Sequence, residues 1–408
     1  MSEVAQVPQL RFPEFSGEWE DGKLGNYGNL INGLTYSPDN IVDDGLLVLR
    51  SSNVQNGQIY LNDNVYVNLD VDDAALTKED DILICVRNGS KRLIGKSTII
   101  NKNLPKSTHG AFMTVFRGES NKFISHWFHS SIYYKEVHKN LGATINSING
   151  SNLKKFKTIF PLKPEQQKIA AFLTAVDNKI EQLSKKQALL GSWKKGLMQQ
   201  IFSQAIRFKA DDGSAFPVWE EKNIVELAKT SIGLVTSMTP YYVDKGVPLI
   251  RNNDIFQNKI RKEKLIRLDY EFDQLNKNRR LFTNDIVTVH TGNIGASAVI
   301  DEELNGCQGF ATLNTRIKNQ NEISSSFLCW YYNSTRNIKY ALSMATGDGR
   351  SNYNLKDFNK ATIPVPSLPE QTKIAAFLTA ADNKIEQVGK QFDESKQFKK
   401  ALLQQMFV

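Results

Sequence analysis

The hydrophobic pattern of this chain settles twice into a helical seam. From residue 169, apolar side chains fall at Ile169, Leu173, Val176, Ile180, Leu183, Leu190, Leu197 and Ile201. Steps of four and three are the ~3.5-residue repeat of a coiled coil, with Gln187 and Lys194 as polar interruptions. The pattern returns at Ile374, Leu378, Ala381, Ile385, Val388, Phe392, Leu402 and Met406, broken by Ser395 and Lys399. Pro164 and Pro369 stand at the predicted starts, and Glu165 and Glu370 follow them. Proline suits a first helical turn, and the helix dipole favours an acid there. At about 1.5 Å per residue such a helix is roughly 58 Å long, the length of a spacer. Elsewhere the pattern is mixed. Runs at 81–86, 285–289 and 298–300 are β-branched and bounded by Gly, Asn and Asp, so they predict strands. Residues 123–128 and 326–332 predict amphipathic helices. The fold class expected is α+β, with a small twisted sheet in each domain.

The two seams are copies. Residues 164–202 and 369–407 align without a gap at an offset of 205, with about 24 of 39 positions identical. The rest aligns more weakly. Trp19 matches Trp219, Gly33 matches Gly233, Gly95 matches Gly295, and the phrase from Gly45 matches the phrase from Gly246. Residues 151–156 align with 353–358, which makes the second linker three residues longer and implies a different domain angle. The division expected is a variable domain over 1–160, a spacer helix over 161–205, a second variable domain over 206–363 and a second helix over 364–408. Neither stripe suits water, so the helices are expected to pack antiparallel on each other; packing of each on its own domain is the alternative. Ala170, Ala171 and Phe172 widen the stripe beyond a seam. Ile169, Phe172, Leu173, Ile180, Ile374, Phe377, Leu378 and Ile385 are therefore candidates for holding a third partner.

Candidate chemistry lies in the loops. Arg87, Asn88, Lys91 and Arg92 form one cluster. Arg50 and Asn53, Arg251, Asn252 and Asn253, Thr291 and Asn293, and Arg350 and Asn352 form others. Arg and Asn make bidentate contacts to guanine and adenine edges, and Lys meets phosphate. Any one such loop is more simply a solvated turn; two matched sets tilt toward DNA. Lys and Arg outnumber Asp and Glu by 51 to 43, which permits nucleic-acid binding without requiring it. Three scattered cysteines, with no CxxC, fit a reducing compartment. No apolar run approaches a membrane span and no secretory signal is visible, so a cytoplasmic protein is expected.

No phosphate-cradling GxxxxGK[ST] loop, S-adenosylmethionine loop or NPPY-like clamp is present. His126 and His129 lack HExxH context and read as surface or core residues, and Glu220-Glu221-Lys222 reads as a coincidental E-x-K. Two variable domains, each followed by a PEQ-KIAAFL helix, resemble over the whole chain the specificity subunit of type I restriction-modification systems. The resemblance implies two target-recognition domains that each read half of a bipartite, asymmetric double-stranded DNA site. It implies helices that set the gap and bind two adenine-N6 methyltransferase subunits, with motor-nuclease restriction subunits joining them. The chain itself would be non-catalytic and hold no cofactor; S-adenosylmethionine, ATP and Mg would belong to its partners. The competing readings are a scaffold with two ligand-binding domains and an enzyme with unrecognised catalytic residues.

Overall fold

The computed structural model describes residues 7–101, 103–141, 146–345 and 351–408. Both long helices are present, over Lys163–Phe202 and Leu368–Gln405. The chain forms two compact units, Met1–Lys185 with Gly389–Val408, and Lys186–Val388. Each unit thus holds the first part of one helix beside the last part of the other, which is the antiparallel arrangement. Every predicted seam position is buried or half-buried, including the polar interruptions. The two lysines among them have a purpose. Lys399 pairs with Asp177 in the first unit, and Lys194 with Asp382 in the second. Both lysines and both aspartates are 205 residues apart, so one cross-helix ion pair occurs twice. A polar pair in an apolar seam favours one register over its alternatives.

The helix ends serve a second role. Ile169 and Leu173 lie in the first unit's core with Leu402, Met406 and Phe407. Ile374 and Leu378 lie in the second unit's core with Ile201 and Phe202. Packing on the domain, the alternative to the seam, therefore holds at the ends.

Each helix is tied to its domain at its first turn. Glu165 and Glu370 are 3% and 0% exposed. Arg11 grips Glu165 with two bonds of 2.8 and 2.7 Å, and Trp19 Nε1 donates to the same carboxylate at 3.3 Å. Arg207 grips Glu370 at 3.1 and 2.7 Å, and Trp219 Nε1 donates at 2.9 Å. A bidentate arginine and an indole N–H satisfy a carboxylate that burial would otherwise penalise.

The two domains share one topology. In the first, a sheet runs in the order Asn29–Asn32, Met113–Arg117, Ile82–Cys85, Ser97–Ile99. In the second, the order is Ala228–Ile232, Thr312–Ile317, Ile286–Val289, Ser297–Val299. A further four-stranded sheet and two strand pairs stand in each, so the expected single sheet is replaced by two four-stranded sheets with two strand pairs. That sheet has one parallel pair, Ser107–His109 on Leu46–Leu49, repeated as Gln308–Phe310 on Val247–Arg251. Gly33 and Gly233 recur because a Cβ there would sit about 2 Å from the carbonyl of Gly110 or Gly309. Glu20–Lys23 pairs with Lys157–Phe160, and Glu220–Asn223 with Thr362–Val365, closing each domain at the foot of its helix. Glu221 and Lys222 form ion pairs to Arg336 and Glu322 beside that strand pair.

Two expectations change. Asn149 and Asn354 are the side chains that cap the next short helices, so the offset of 205 already applies there and the linkers are equal in length. The alignment of 151–156 with 353–358 followed a repeated Asn-Leu-Lys rather than the cap. The helices Asn121–Trp127 and Ser325–Tyr332 are buried nearly all round and are not amphipathic. His126 in the first of them is a core residue whose pKa burial lowers to about 3. Its counterpart is Trp330. Both side chains reach the equivalent helix threonines, Thr174 and Thr379.

Removing an arginine would leave a buried carboxylate without its counter-charge. Arg207→Ala is expected to destabilise the second unit by about 2–3 kcal/mol, moderated because the guanidinium keeps some contact with water. Hydrogen exchange of the full chain over 220–223 and 362–365 reads this directly. Unchanged protection there would show that the arginine does not hold the helix.

Candidate nucleic-acid interface

In the first unit four segments converge on one edge. The strand Leu46–Leu49 runs into the 3-10 turn Ser51–Asn53, and Ile82–Cys85 runs into the loop carrying Arg87. Phe112 precedes the strand Met113–Arg117, and residues 146–148 precede the helix Gly150–Lys154. Backbone bonds join them. The N–H groups of Val86 and Arg87 donate to the Phe112 carbonyl, Asn88 N–H donates to Asn146, and Ile148 N–H donates to Val86. The Asn88 amide donates to Ser51 Oγ and Lys96 Nζ to the Ser51 carbonyl, each at 3.0 Å.

The second unit builds the same edge from different side chains. Tyr353 N–H donates to His290, as Ile148 does to Val86. Thr291 bridges to Asn352 as Arg87 bridges to Ser147. The Thr291 hydroxyl donates to Asn352 Oδ1 at 2.6 Å, and the Asn252 amide donates to the Ala311 carbonyl at 3.4 Å. The clusters read separately in the sequence are therefore brought together: Arg50, Arg87, Asn88, Lys91 and Arg92 lie around one edge, and Asn252, Thr291, Asn293 and Asn352 around the other. Arg350 lies outside the described residues.

The members are not equivalent. Asn53 is fully buried; its Oδ1 accepts from Arg50 N–H and its amide donates to the carbonyls of Tyr60 and Asp63. It holds a turn and cannot reach a base, which corrects its assignment. The matching position is Asp254, which accepts from the Arg251 N–H and guanidinium. Arg50 is likewise paired, with Asp63. Arg87, Lys91, Arg92, Asn253 and Asn293 are exposed. Sequence reasoning missed Phe112, which is 56% exposed with the Arg87 guanidinium 5.7 Å from its ring centre. The available signal was a single aromatic displaced between the phrases Gly110-Ala111-Phe112 and Gly309-Phe310-Ala311.

The helix candidates also divide. Ile169, Leu173, Ile374 and Leu378 are at most 2% exposed inside the unit cores, so they cannot meet a partner, a second correction. Ile180 and Ile385 are half-buried in the seam. Phe172 packs edge-on to Phe12, while Phe377 is 37% exposed beside Phe208 and Trp193.

Cys85, Cys307 and Cys329 are buried, and burial raises their pKa values, that of Cys307 to about 12, so none presents a reactive thiolate. Among the described residues no cluster of His, Cys, Asp and Glu could hold a metal ion, and no helix is long and apolar enough to cross a membrane.

The sequence profile of the type I restriction modification DNA specificity domain matches residues 16–190 and 218–392, one stretch per variable domain and helix. The chain belongs to that family. It is thus a DNA-binding specificity subunit of the type I restriction-modification class. The StySPI specificity subunit of Salmonella potsdam is 26% identical over 379 residues, 87% of this chain and 80% of that protein. The EcoKI specificity subunit of Escherichia coli K12 is 26% identical over 68% of this chain and 62% of its own length. The crystal structure of the type I S subunit from M. genitalium has the same fold, with a TM-score of 0.62 at 16% identity over 98% of this chain and 99% of that one. A chain from work on complex assembly and conformational transition of the type I system gives 0.55 at 16% identity, over 94% and 96%.

Burial separates scaffold from surface at these edges. Asn53→Ala should cost about 1–3 kcal/mol, because it leaves backbone groups around the turn unpaired. Lys91→Ala and Arg92→Ala should leave stability within about 0.5 kcal/mol. Each should lower DNA affinity for all sequences alike and reduce the salt slope by about one. Thermal unfolding and binding across a salt series separate the two classes. A stable Asn53→Ala that altered base preference would reverse the assignment.

Proposed function

We propose that this specificity subunit reads a bipartite, asymmetric double-stranded DNA site, one half-site per unit, and is not itself catalytic. The observation that carries this reading is the edge built twice. Both units arrange the same strands and repeat two contacts, the bridge of Arg87 to Ser147 or of Thr291 to Asn352 and the bond from Ile148 to Val86 or from Tyr353 to His290, yet offer Arg87, Phe112 and Ser147 in one and Thr291, Ala311 and Asn352 in the other. Like frames with unlike side chains suit two unlike half-sites. Replacing residues 206–363 with the corresponding stretch of another family member should change one half of the methylated sequence and leave the other intact. Methylation mapping in cells tests this; alteration of both halves would reject independent reading.

The reading extends to assembly. Two adenine-N6 methyltransferase subunits dock on the helices and restriction subunits join them, with S-adenosylmethionine, ATP and Mg held by those partners. Support comes from a duplicated apolar surface. Trp193 is 49% exposed and Phe398 is 55% exposed, 205 residues apart and one per unit. Aromatic side chains exposed on a constant helix suit anchors for two copies of one partner. Trp193→Ser should reduce the methyltransferase bound from two copies to one, and adding Phe398→Ser should abolish binding, by native mass spectrometry. Loss of both copies from the single variant, or of neither, would reject these anchors.

A further inference from the structure

We infer that Arg87, beside the Phe112 ring, is a base-reading residue of the first unit, addressing a guanine through O6 and N7, while Lys91 and Arg92 hold phosphate. The inference rests on the proposed DNA-reading edge and assigns roles within it.

Three observations separate Arg87 from the other arginines of the chain. First, it carries no counter-ion. Among the described residues no carboxylate pairs with it, whereas Arg50 pairs with Asp63, Arg117 with Asp81, Arg251 with Asp254 and Arg316 with Asp285. An arginine tied to a carboxylate has its donors engaged; the Arg87 guanidinium, exposed, has no hydrogen-bond or carboxylate partner among the described residues. Second, its backbone is fixed and its guanidinium lies near a ring. Its N–H donates to the Phe112 carbonyl, its backbone bridges to Ser147, and its guanidinium lies 5.7 Å from the Phe112 ring centre. A ring within cation–π reach draws the guanidinium toward it and leaves free the planar fork that matches two acceptors in line, as guanine presents in the major groove. Third, the ring beneath it is more than half exposed, although Phe116 and Phe123 nearby in sequence are fully buried. A phenyl ring left in water at a loop tip suits contact with a base edge or thymine methyl better than folding.

Lys91 and Arg92 differ. They sit on the 3-10 turn Lys91–Leu93, exposed, with no ring or carboxylate holding either among the described residues. Exposed cations without a fixed partner suit phosphate, which asks for charge and little geometry. The second unit is an internal control. Thr291 stands where Arg87 stands, Ala311 alone takes the place of Ala111 and Phe112, and the Thr291 hydroxyl is engaged by Asn352. With neither cation nor ring, that position cannot read guanine in this way. The two half-sites should therefore differ at the base pair facing it.

The test uses the full chain assembled with its methyltransferase, on duplexes varied one base pair at a time, with methylation mapped in cells. Arg87→Lys keeps the charge and loses the fork. It should keep overall affinity and salt slope while losing preference for guanine at one base pair of one half-site, by roughly tenfold to a hundredfold. Phe112→Ala should weaken the same preference, and Phe112→Tyr, which keeps the ring, should retain it. The other half-site should not change in any variant. Retained guanine preference in Arg87→Lys would overturn the assignment. So would a uniform loss of affinity in Arg87→Ala with a salt slope reduced by about one, the mark of a phosphate contact. A wild-type complex that read sequence while every variant matched it would sink this inference alone. One that read no sequence would remove the DNA-reading proposal beneath it.

Discussion

A buried carboxylate at the first turn of each long helix is the constraint on which the remaining structure depends. Glu165 and Glu370 are removed from water at a helix N-terminus, where the dipole favours them, and each is held by an arginine and a tryptophan from the start of its domain. The bond is long-range, joining residues 154 and 163 positions apart. It ties a domain's first residues to the helix that follows its last strand. The strand pairs Glu20–Lys23 with Lys157–Phe160, and Glu220–Asn223 with Thr362–Val365, lie at the same junction. A carboxylate so placed fixes where the helix leaves the domain, because any rotation of the first turn would strip a buried charge of its donors.

Beyond the first turn the helices obey a different rule. Apolar seam positions are tolerant of sliding by a heptad, since one leucine replaces another. The pairs Lys399–Asp177 and Lys194–Asp382 are not, because a shifted register would leave a half-buried lysine facing leucine or valine. These pairs explain why a seam repeated in two copies keeps lysine at its weakest apolar point. They also account for the identity between copies. The segment from Pro164 to Gln182 carries the latch glutamate, the core residues Ile169 and Leu173 and the paired Asp177, and it is where the copies agree best.

Much of this was legible in the sequence for a physical reason: helical periodicity and exact repetition are one-dimensional. The seam, its polar interruptions, both helices and the strands near 82–85 and 286–289 follow from spacing alone. What spacing cannot carry is depth. Residues 123–128 look amphipathic because His126 is polar, yet a core that accepts a neutral imidazole against Thr174 buries it as it buries Trp330. Asn53 reads as a base-contacting amide because its chemistry is identical to that of a turn-closing one; only the buried bonds to Tyr60 and Asp63 tell them apart. Ile169 and Leu173 read as a partner face because a stripe does not say which body covers it. The misaligned linker has the same origin. Three identical letters outweighed a cap, Asn149, whose role is a hydrogen bond rather than a pattern.

The separation between these two kinds of residue also explains how one chain can hold two domains so alike in frame and unlike in surface. Substituting the partner of a buried latch glutamate leaves an uncompensated charge, a cost of about several kcal/mol by the usual scale for such pairs, while the half-buried seam pairs cost less. Substituting an exposed loop residue such as Arg92 or Asn293 costs stability about ten times less. Mutations therefore accumulate freely at the edge and are filtered at the junction, whatever the edge recognises. Glu165 and Glu370 remain the same residue, while the bridge position is Arg87 in one unit and Thr291 in the other. Latches and seams held in this way leave the exposed edge free to diverge, and that freedom suits a specificity subunit.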